Sequence, residues 1–450
     1  MNINRSKLPQ LMGREQERFA SSHPNSRALF NRAQSSLLGG VPMNWMKKWP
    51  GGFPLFVDRA FGAHFIDVDG CEYVDFCLGD TGSMTGHSPK VSIEAATHRL
   101  QNGVTFMLPT EDAIWVGEEL ARRFGLPFWQ FALTATDANR FSIRMAREIT
   151  QRKKILVLNW CYHGTVDESF ITLQPSGKAE ARRGNIGPPV DPTMTTEVVE
   201  FNDVEGLERA LATGELACVL AEPVMTNVGI VHPEPGFHTA LRKLTRKHGT
   251  LLIIDETHTI CAGPGGYTKT EKLDPDFLVM GKPIAGGIPG AAYGFTQEVA
   301  DRISARIQTA DCDTGGIGGT LAANALSLAA MKATLQHVLT QAAFDHMIPL
   351  AERFVAGVES VIAKSGIDWH VTRLGCRAEY LFCKQRPRNG GEAAAAANFE
   401  LERYMHLHAL NRGVLLTPFH NMALMSPATT NEDVDLHTRI FGEAIAELAS

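Results

Sequence analysis

The sequence has no apolar run long enough to span a bilayer, and its opening stretch, MNINRSKLPQLMGREQERFASSHPNSRALF, is polar and charged. Neither a membrane span nor a secretory leader is read from it, so a soluble, cytoplasmic chain with no membrane partner is expected. It lacks any C-x-x-C pair. The eight cysteines, Cys71, Cys77, Cys161, Cys218, Cys261, Cys312, Cys376 and Cys383, are scattered, which excludes a zinc ribbon and a redox dithiol and leaves ordinary reduced thiols. Sixteen histidines occur without an H-E-x-x-H motif, so no metal site is expected. A surplus of positive charge is also missing. Lys and Arg number 43 against 49 Asp and Glu, a formal net charge of −6, which gives nucleic acid no electrostatic hold. Neither G-x-G-x-x-G after a first strand nor G-x-x-x-x-G-K-[ST] is present, which argues against a bare nucleotide-binding domain.

What is present is length and alternation. A chain of 450 residues with 44% hydrophobic residues buries more core than one simple domain needs. Residues 1–40 read as one or two amphipathic helices and a Gly-Gly turn, followed by short strands at Phe56–Asp58, Ala63–Asp67 and Tyr73–Phe76. From about residue 110 helix and strand alternate: helices at Asp112–Phe124, Asp137–Thr150 and Gly236–His248, and strands at Trp129–Leu133, Lys154–Leu158, Cys218–Ala221, Leu251–Ile254 and Phe277–Met280. Short apolar runs separated by helices imply a mainly parallel α/β sheet covered on both faces. The segment GGEAAAAANFELERYMHLHAL reads as a helix opening. Asp368–Cys383 and Gly413–Ser426 suggest a smaller α/β domain. The expected division is 1–75 as the N-terminal part of the small domain, 76–330 as the large domain, and 331–450 as the rest of the small domain.

Ligands of such sheets sit at the carboxyl ends of the strands. There LLIIDETHT ends a buried run in Asp255, a carboxylate that is costly to bury alone but suited to a cationic ring nitrogen; a helix cap or salt bridge is the alternative. In FLVMGKPIAGGIPGAAYGFT, Lys282 follows an apolar strand directly. Burial and small neighbours suit an imine-forming lysine, while a solvated loop lysine is the plain alternative. The two residues end successive strands, so they can reach one ligand. FALTATDANRFSIRMAREIT offers backbone N–H groups at Ala135, Thr136 and Asp137, with the Thr136 hydroxyl, as an anion site at a helix N-terminus; an ordinary capping turn with Thr136 or Asp137 as N-cap is the alternative. WCYHGTVDES adds Tyr162, able to cover a ring face, with His163 beside it.

From about residue 35 onward, these segments together resemble the class III transaminases, in the branch that includes glutamate-1-semialdehyde aminomutase and β-phenylalanine aminotransferase. FVDRAFGAHFIDVDGCEYVDF, GHSP at 86–89, CYHG at 161–164, AEPV at 221–224, IDE at 254–256, MGKPIAGG at 280–287 and GGTLAAN at 318–324 carry the likeness in shared order. The resemblance implies fold type I, with a seven-stranded-type, mainly parallel sheet, and pyridoxal 5′-phosphate as cofactor. It implies that Lys282 forms the Schiff base and shuttles the proton, that Asp255 partners the pyridine nitrogen, and that Tyr162 stacks on the ring. Thr134, Ala135 and Thr136 stand where relatives write Ser-Gly-Thr for the phosphate turn. Thr320 matches a phosphate-binding threonine given by the neighbouring subunit, which implies a homodimer. Glu222 and Asn227 match positions near the ring hydroxyl and the substrate.

The sequence departs from that pattern on the substrate side. GGVPMNW, with Met43 and Trp45, replaces a GGNTR-like stretch whose arginine grips a carboxylate in β-amino-acid relatives. TPFHN, with Phe419, replaces a second arginine. An apolar pocket favours amines without a carboxylate as donors and an α-keto acid such as pyruvate as acceptor, in a ping-pong transamination through Lys282. The alternatives are a β-amino-acid aminotransferase, an aminomutase or racemase of the same family, and a non-catalytic pyridoxal-phosphate-binding protein. His258 is a substrate-side candidate or a structural histidine. Arg377 is a replacement cation for the acceptor or a salt-bridge partner of Glu379.

Overall fold

A computed structural model describes residues 3–187, 190–308 and 315–449. Cys312 lies outside the described residues. The chain divides into two units: residues 1–89, 342–386 and 396–450 form one, and residues 90–341 and 387–395 form the other.

The second unit is built on a seven-stranded sheet. In spatial order its strands are Phe128–Ala132, Ala291–Phe295, Phe277–Met280, Leu251–Asp255, Leu216–Ala221, Lys154–Leu158 and Thr196–Val199. The last five pair in parallel, and Ala291–Phe295 runs antiparallel to both its neighbours. Successive side chains on a strand face opposite ways, so continuous apolar runs feed two cores. Ile155, Val157, Cys218, Leu220 and Ile253 pack on one side with Ile143, Met145 and Ala146 of the helix Ala135–Thr150. Leu156, Leu158, Val219, Leu252 and Ile254 pack on the other with Leu207 and Leu211 of Val204–Leu211 and Leu241 and Leu244 of Phe237–Lys247.

The sequence reading places no strand at Ala291–Phe295, and the structure adds one. AAYGF has two aromatic residues but no β-branched one, and its two alanines and a glycine weaken the strand signature. Its glycine has a packing reason: a Cβ at Gly294 would fall 2.6 Å from the Trp129 indole on the adjoining strand.

The first unit holds two small sheets. Val57–Phe61, His64–Asp67 and Glu72–Asp75 form an antiparallel meander to which Val414–Leu415 adds in parallel. His370–Leu374, Arg377–Leu381 and Met422–Leu424 form an antiparallel three-stranded sheet. Phe19 from the helix Leu8–Ser22 packs with Phe53, Phe65, Tyr73, Leu407 and Leu410. The segment 390–410, read as a helix opening, holds two helices, Gly390–Ala395 and Phe399–Leu410. Asn398 stops continuity by capping the second: its side-chain oxygen accepts from Leu401 N at 3.1 Å. Among the described residues no helix is long and apolar enough to cross a membrane.

Candidate active site

The strands Leu251–Asp255 and Phe277–Met280 are parallel neighbours, with Asp255 beside Val279 and Glu256 N donating to Val279 O at 2.8 Å. Their shared direction brings Asp255 and Lys282 to the same end of the sheet. The Lys282 backbone is left-handed (φ +52°), a conformation that costs a residue with a Cβ roughly 1 kcal/mol. Gly281 before it lets the loop approach the start of the helix Ala135–Thr150. A Cβ at Gly281 would lie 3.1 Å from Ala135 Cβ and 3.2 Å from Ala135 N. Lys282 is half-buried, and its Nζ lies 2.7 Å from His258 Nε2.

Asp255 is buried and fully engaged on one oxygen. Its Oδ2 accepts from Asn139 Nδ2 at 2.8 Å and meets His163 Nδ1 at 2.9 Å, and its Oδ1 accepts from Thr257 N at 3.0 Å. Burial works to raise the carboxyl's pKa, but the hydrogen bond and charge of His163, with Thr257 and Asn139, bring it down to about 2. Burial works against a charged His163, yet Cys161 and the Asp255 carboxylate hold its pKa up, to about 10. Asp255 is therefore an anion at any ordinary pH, with an acceptor position on Oδ1 still to fill. Around it Asn139 Oδ1, His163 Nε2 and Thr257 Oγ1 are buried without a hydrogen-bond partner among the described residues. A buried anion ringed by unsatisfied polar atoms suits a cationic ring nitrogen, so these residues fit a pyridoxal ring.

Thr134 caps the helix Ala135–Thr150 through its hydroxyl, which accepts from Asp137 N at 3.2 Å. The Thr136 hydroxyl accepts from Thr165 N at 3.0 Å, and Gly164 leaves room for it: a Cβ there would fall 2.0 Å from Thr136 Oγ1. The helix N-terminus, the lysine loop and the Tyr162–Thr165 loop thus meet at one place. Tyr162 is half-buried beside the fully buried His163. Asn227 Nδ2 donates to Trp160 O at 2.8 Å in the same loop, and Glu222 accepts from Thr226 N at 3.1 Å and from its hydroxyl. Thr320 lies in an exposed turn. Asn139 escaped the sequence reading. The signal that could have found it is a buried asparagine inside a helix, a residue type that gains little from helical backbone.

The remaining candidates lie in the first unit. Met43 is exposed, and Trp45 and Phe419 approach each other with ring centroids 5.3 Å apart. The sequence reading makes this cluster wholly apolar, but the structure adds a cation. Lys48 Nζ sits 5.6 Å from the Trp45 ring centroid and 5.5 Å from that of Phe419. Val41, Pro42 and Met46 of the same segment line a cavity of about 470 Å³ that also exposes Trp49, Phe56 and His87. Arg377 is completely buried, its guanidinium 3.3 Å from Glu379, whose other oxygen lies 3.3 Å from His420 Nδ1. That arrangement matches the salt bridge with Glu379 rather than a cation turned toward an acceptor.

A strand-end lysine, a buried anionic aspartate on the next strand and a helix N-terminus beside both define a site for pyridoxal phosphate on a fold type I sheet. The comparisons agree. The profile of the aminotransferase class-III family matches residues 45–445. A glutamate-1-semialdehyde 2,1-aminomutase from Sorangium cellulosum (strain So ce56) is 33% identical over 439 residues, covering 95% of this chain and 97% of that protein. The crystal structure of a glutamate-1-semialdehyde-aminomutase from Pseudomonas aeruginosa PAO1 superposes with a TM-score of 0.97 at 50% identity, covering all of both chains. A lysine-to-alanine variant of that protein was crystallised in complex with PMP. A β-phenylalanine aminotransferase from Variovorax paradoxus aligns with a TM-score of 0.86 at 25% identity over 98% of each chain. The chain belongs to the class-III aminotransferases, enzymes that use pyridoxal phosphate.

Proposed function

We propose that this enzyme moves an amino group within one small molecule, as an aminomutase does, with Lys282 holding the cofactor. The observation that carries this reading is the 50% identity along the whole chain to the aminomutase from Pseudomonas aeruginosa. The substrate we infer is a small amino aldehyde bearing a carboxylate, of the glutamate 1-semialdehyde type. Lys48, held over Trp45 and Phe419, supplies a cation where the sequence has lost two arginines.

Each residue then has a task. When bound, the cofactor supplies an electron-withdrawing ring that stabilises negative charge at the substrate carbon. Asp255 keeps the proton on the ring nitrogen, and His163 and Asn139 hold Asp255 charged and oriented. Lys282 Nζ takes the proton from one carbon and returns it to another. The N-terminus of the helix Ala135–Thr150 binds the phosphate through Ala135 and Thr136, Tyr162 covers one ring face, and Glu222 and Asn227 border the ring hydroxyl and the substrate. We infer a cytoplasmic homodimer in which Thr320 reaches the phosphate of the neighbouring copy.

A second reading is favoured by Met43 and Phe419 standing where relatives place arginine. It is an amine transaminase that passes the amino group from an amine without a carboxylate to pyruvate. One experiment separates the two. Incubated with glutamate 1-semialdehyde alone, an aminomutase yields an isomer of unchanged mass, visible by NMR. Turnover only when a keto acid and an amine are both added would overturn the first reading in favour of the second.

A further inference from the structure

We propose that His258 is the proton partner of Lys282, accepting the proton that the amine must give up before it bonds to the cofactor's aldehyde. The inference rests on Lys282 being the cofactor lysine, and goes beyond it. Lys282 Nζ and His258 Nε2 lie 2.7 Å apart, within hydrogen-bond distance. An ammonium and an imidazolium cannot both stand at that separation, so the pair carries at most one positive charge. Neither side chain drifts freely. Lys282 leaves a left-handed backbone position at the head of the short helical turn Lys282–Ala285. His258 precedes the turn Thr259–Ala262, with its carbonyl accepting from Cys261 N at 3.3 Å.

Among the described residues, the two carboxylates next in sequence to His258 are held by other partners. Asp255 is held by His163, Asn139 and Thr257. Glu256 accepts from Thr259 Oγ1, from Tyr267 N at 3.2 Å and from Thr268 N at 2.5 Å. Cys161, Tyr162 and His163 lie on the loop after Lys154–Leu158. His258 is thus the base placed to take a proton from Lys282. The step balances simply. An ammonium at Lys282 gives one proton to His258 Nε2; the neutral amine adds its lone pair to the aldehyde carbon; a C=N bond replaces C=O. The oxygen leaves as water with the two remaining amine hydrogens.

The test follows loading rather than turnover. Cofactor-free wild type, His258→Gln and His258→Ala are mixed with pyridoxal 5′-phosphate at neutral pH. The rise of the visible band is timed, and the linkage is fixed with borohydride and located at Lys282 by peptide mass. Both variants should load about tenfold more slowly or worse. Added imidazole should restore part of the rate to His258→Ala, and the gap should close near pH 10.5, where about half of a lysine is neutral unaided. Equal rates at neutral pH, or a slowing that persists unchanged at high pH, would overturn the proposal. So would loss of pyridoxamine phosphate binding by both variants, since that ligand needs no bond to lysine and its loss marks a structural role. A wild type that forms no band at all overturns the reading of Lys282 itself.

Discussion

Asn139 donates its side-chain N–H to the Oδ2 of Asp255 at 2.8 Å, on the same oxygen that His163 meets. A carboxylate buried this deeply stays charged only because donors surround it, and Asn139 is one of three. Replacing Asn139 by Leu removes a donor to a charged acceptor, worth about 1.5–3 kcal/mol. The expected outcome is roughly tenfold or more weaker binding of pyridoxal phosphate, measured by equilibrium titration of the cofactor-free protein. Unchanged affinity would show that His163 and Thr257 suffice.

Gly164 carries the second prediction. Its φ is +73°, and any side chain there would meet the Thr136 hydroxyl at 2.0 Å. In Gly164→Ala, Thr136 must move, and the loop bearing Tyr162 and His163 moves with it. The variant should lose about 1–3 kcal/mol of stability and release cofactor faster. Thermal melting with and without added pyridoxal phosphate reads both effects, and a melting curve like wild type in both conditions would refute the steric argument.

Acid stability should be set in part by His437 in the first unit. It is buried against Phe354, with ring centroids 4.3 Å apart, and against Phe441, and burial lowers its pKa to about 3. The unfolded chain takes up this proton near its ordinary value of about 6.5, whereas the folded chain resists until about 3. Below the unfolded value the unfolded state therefore binds more protons, and stability falls as pH falls between those two values. His437→Phe should flatten that loss, compared as melting temperature at neutral pH and at pH near 4.5. If wild type and variant lose stability in parallel, other groups carry the acid effect.

The pair His163 and Asp255 sets two opposite limits. The raised His163 pKa contributes stability that is full below its unfolded value of about 6.5 and lost as pH rises through about 10. The lowered Asp255 pKa contributes stability present above about 3.9 and lost as pH falls through about 2. His163→Gln should therefore remove the alkaline decline, and chemical denaturation at pH values near 7 and 10 checks it. A decline as steep in the variant as in wild type would place its origin elsewhere.

Lys48 offers a substrate-side prediction. It is exposed and rests on two aromatic rings, so changing it should leave the fold intact. Lys48→Met should raise KM for a carboxylate-bearing substrate about tenfold while kcat stays near wild type, the pattern of lost ground-state binding. An unchanged KM would separate Lys48 from substrate recognition.

Much of the candidate site was legible in the sequence because it is written locally. LLIID and FLVM are apolar runs that only a strand covered on both faces can bury. The charged residues that end or directly follow them, Asp255 and Lys282, must emerge at the same edge when the strands are parallel. That a turn opens a helix after Phe128–Ala132 was legible for the same reason, but the residue that caps it is Thr134 rather than Thr136 or Asp137. What the tertiary structure alone decided is who touches whom across long separations. Asn139 lies 116 residues from Asp255, and no periodicity announces a contact that exists only when helix and sheet pack. His258 and Lys282 are 24 residues apart, on loops after different strands, and only the fold brings their side chains to 2.7 Å. The strand Ala291–Phe295 was hidden because its stability comes from two neighbours rather than from its own residues. Lys48 turned a segment that reads as apolar into one with a cation, since only packing sets a lysine over two rings.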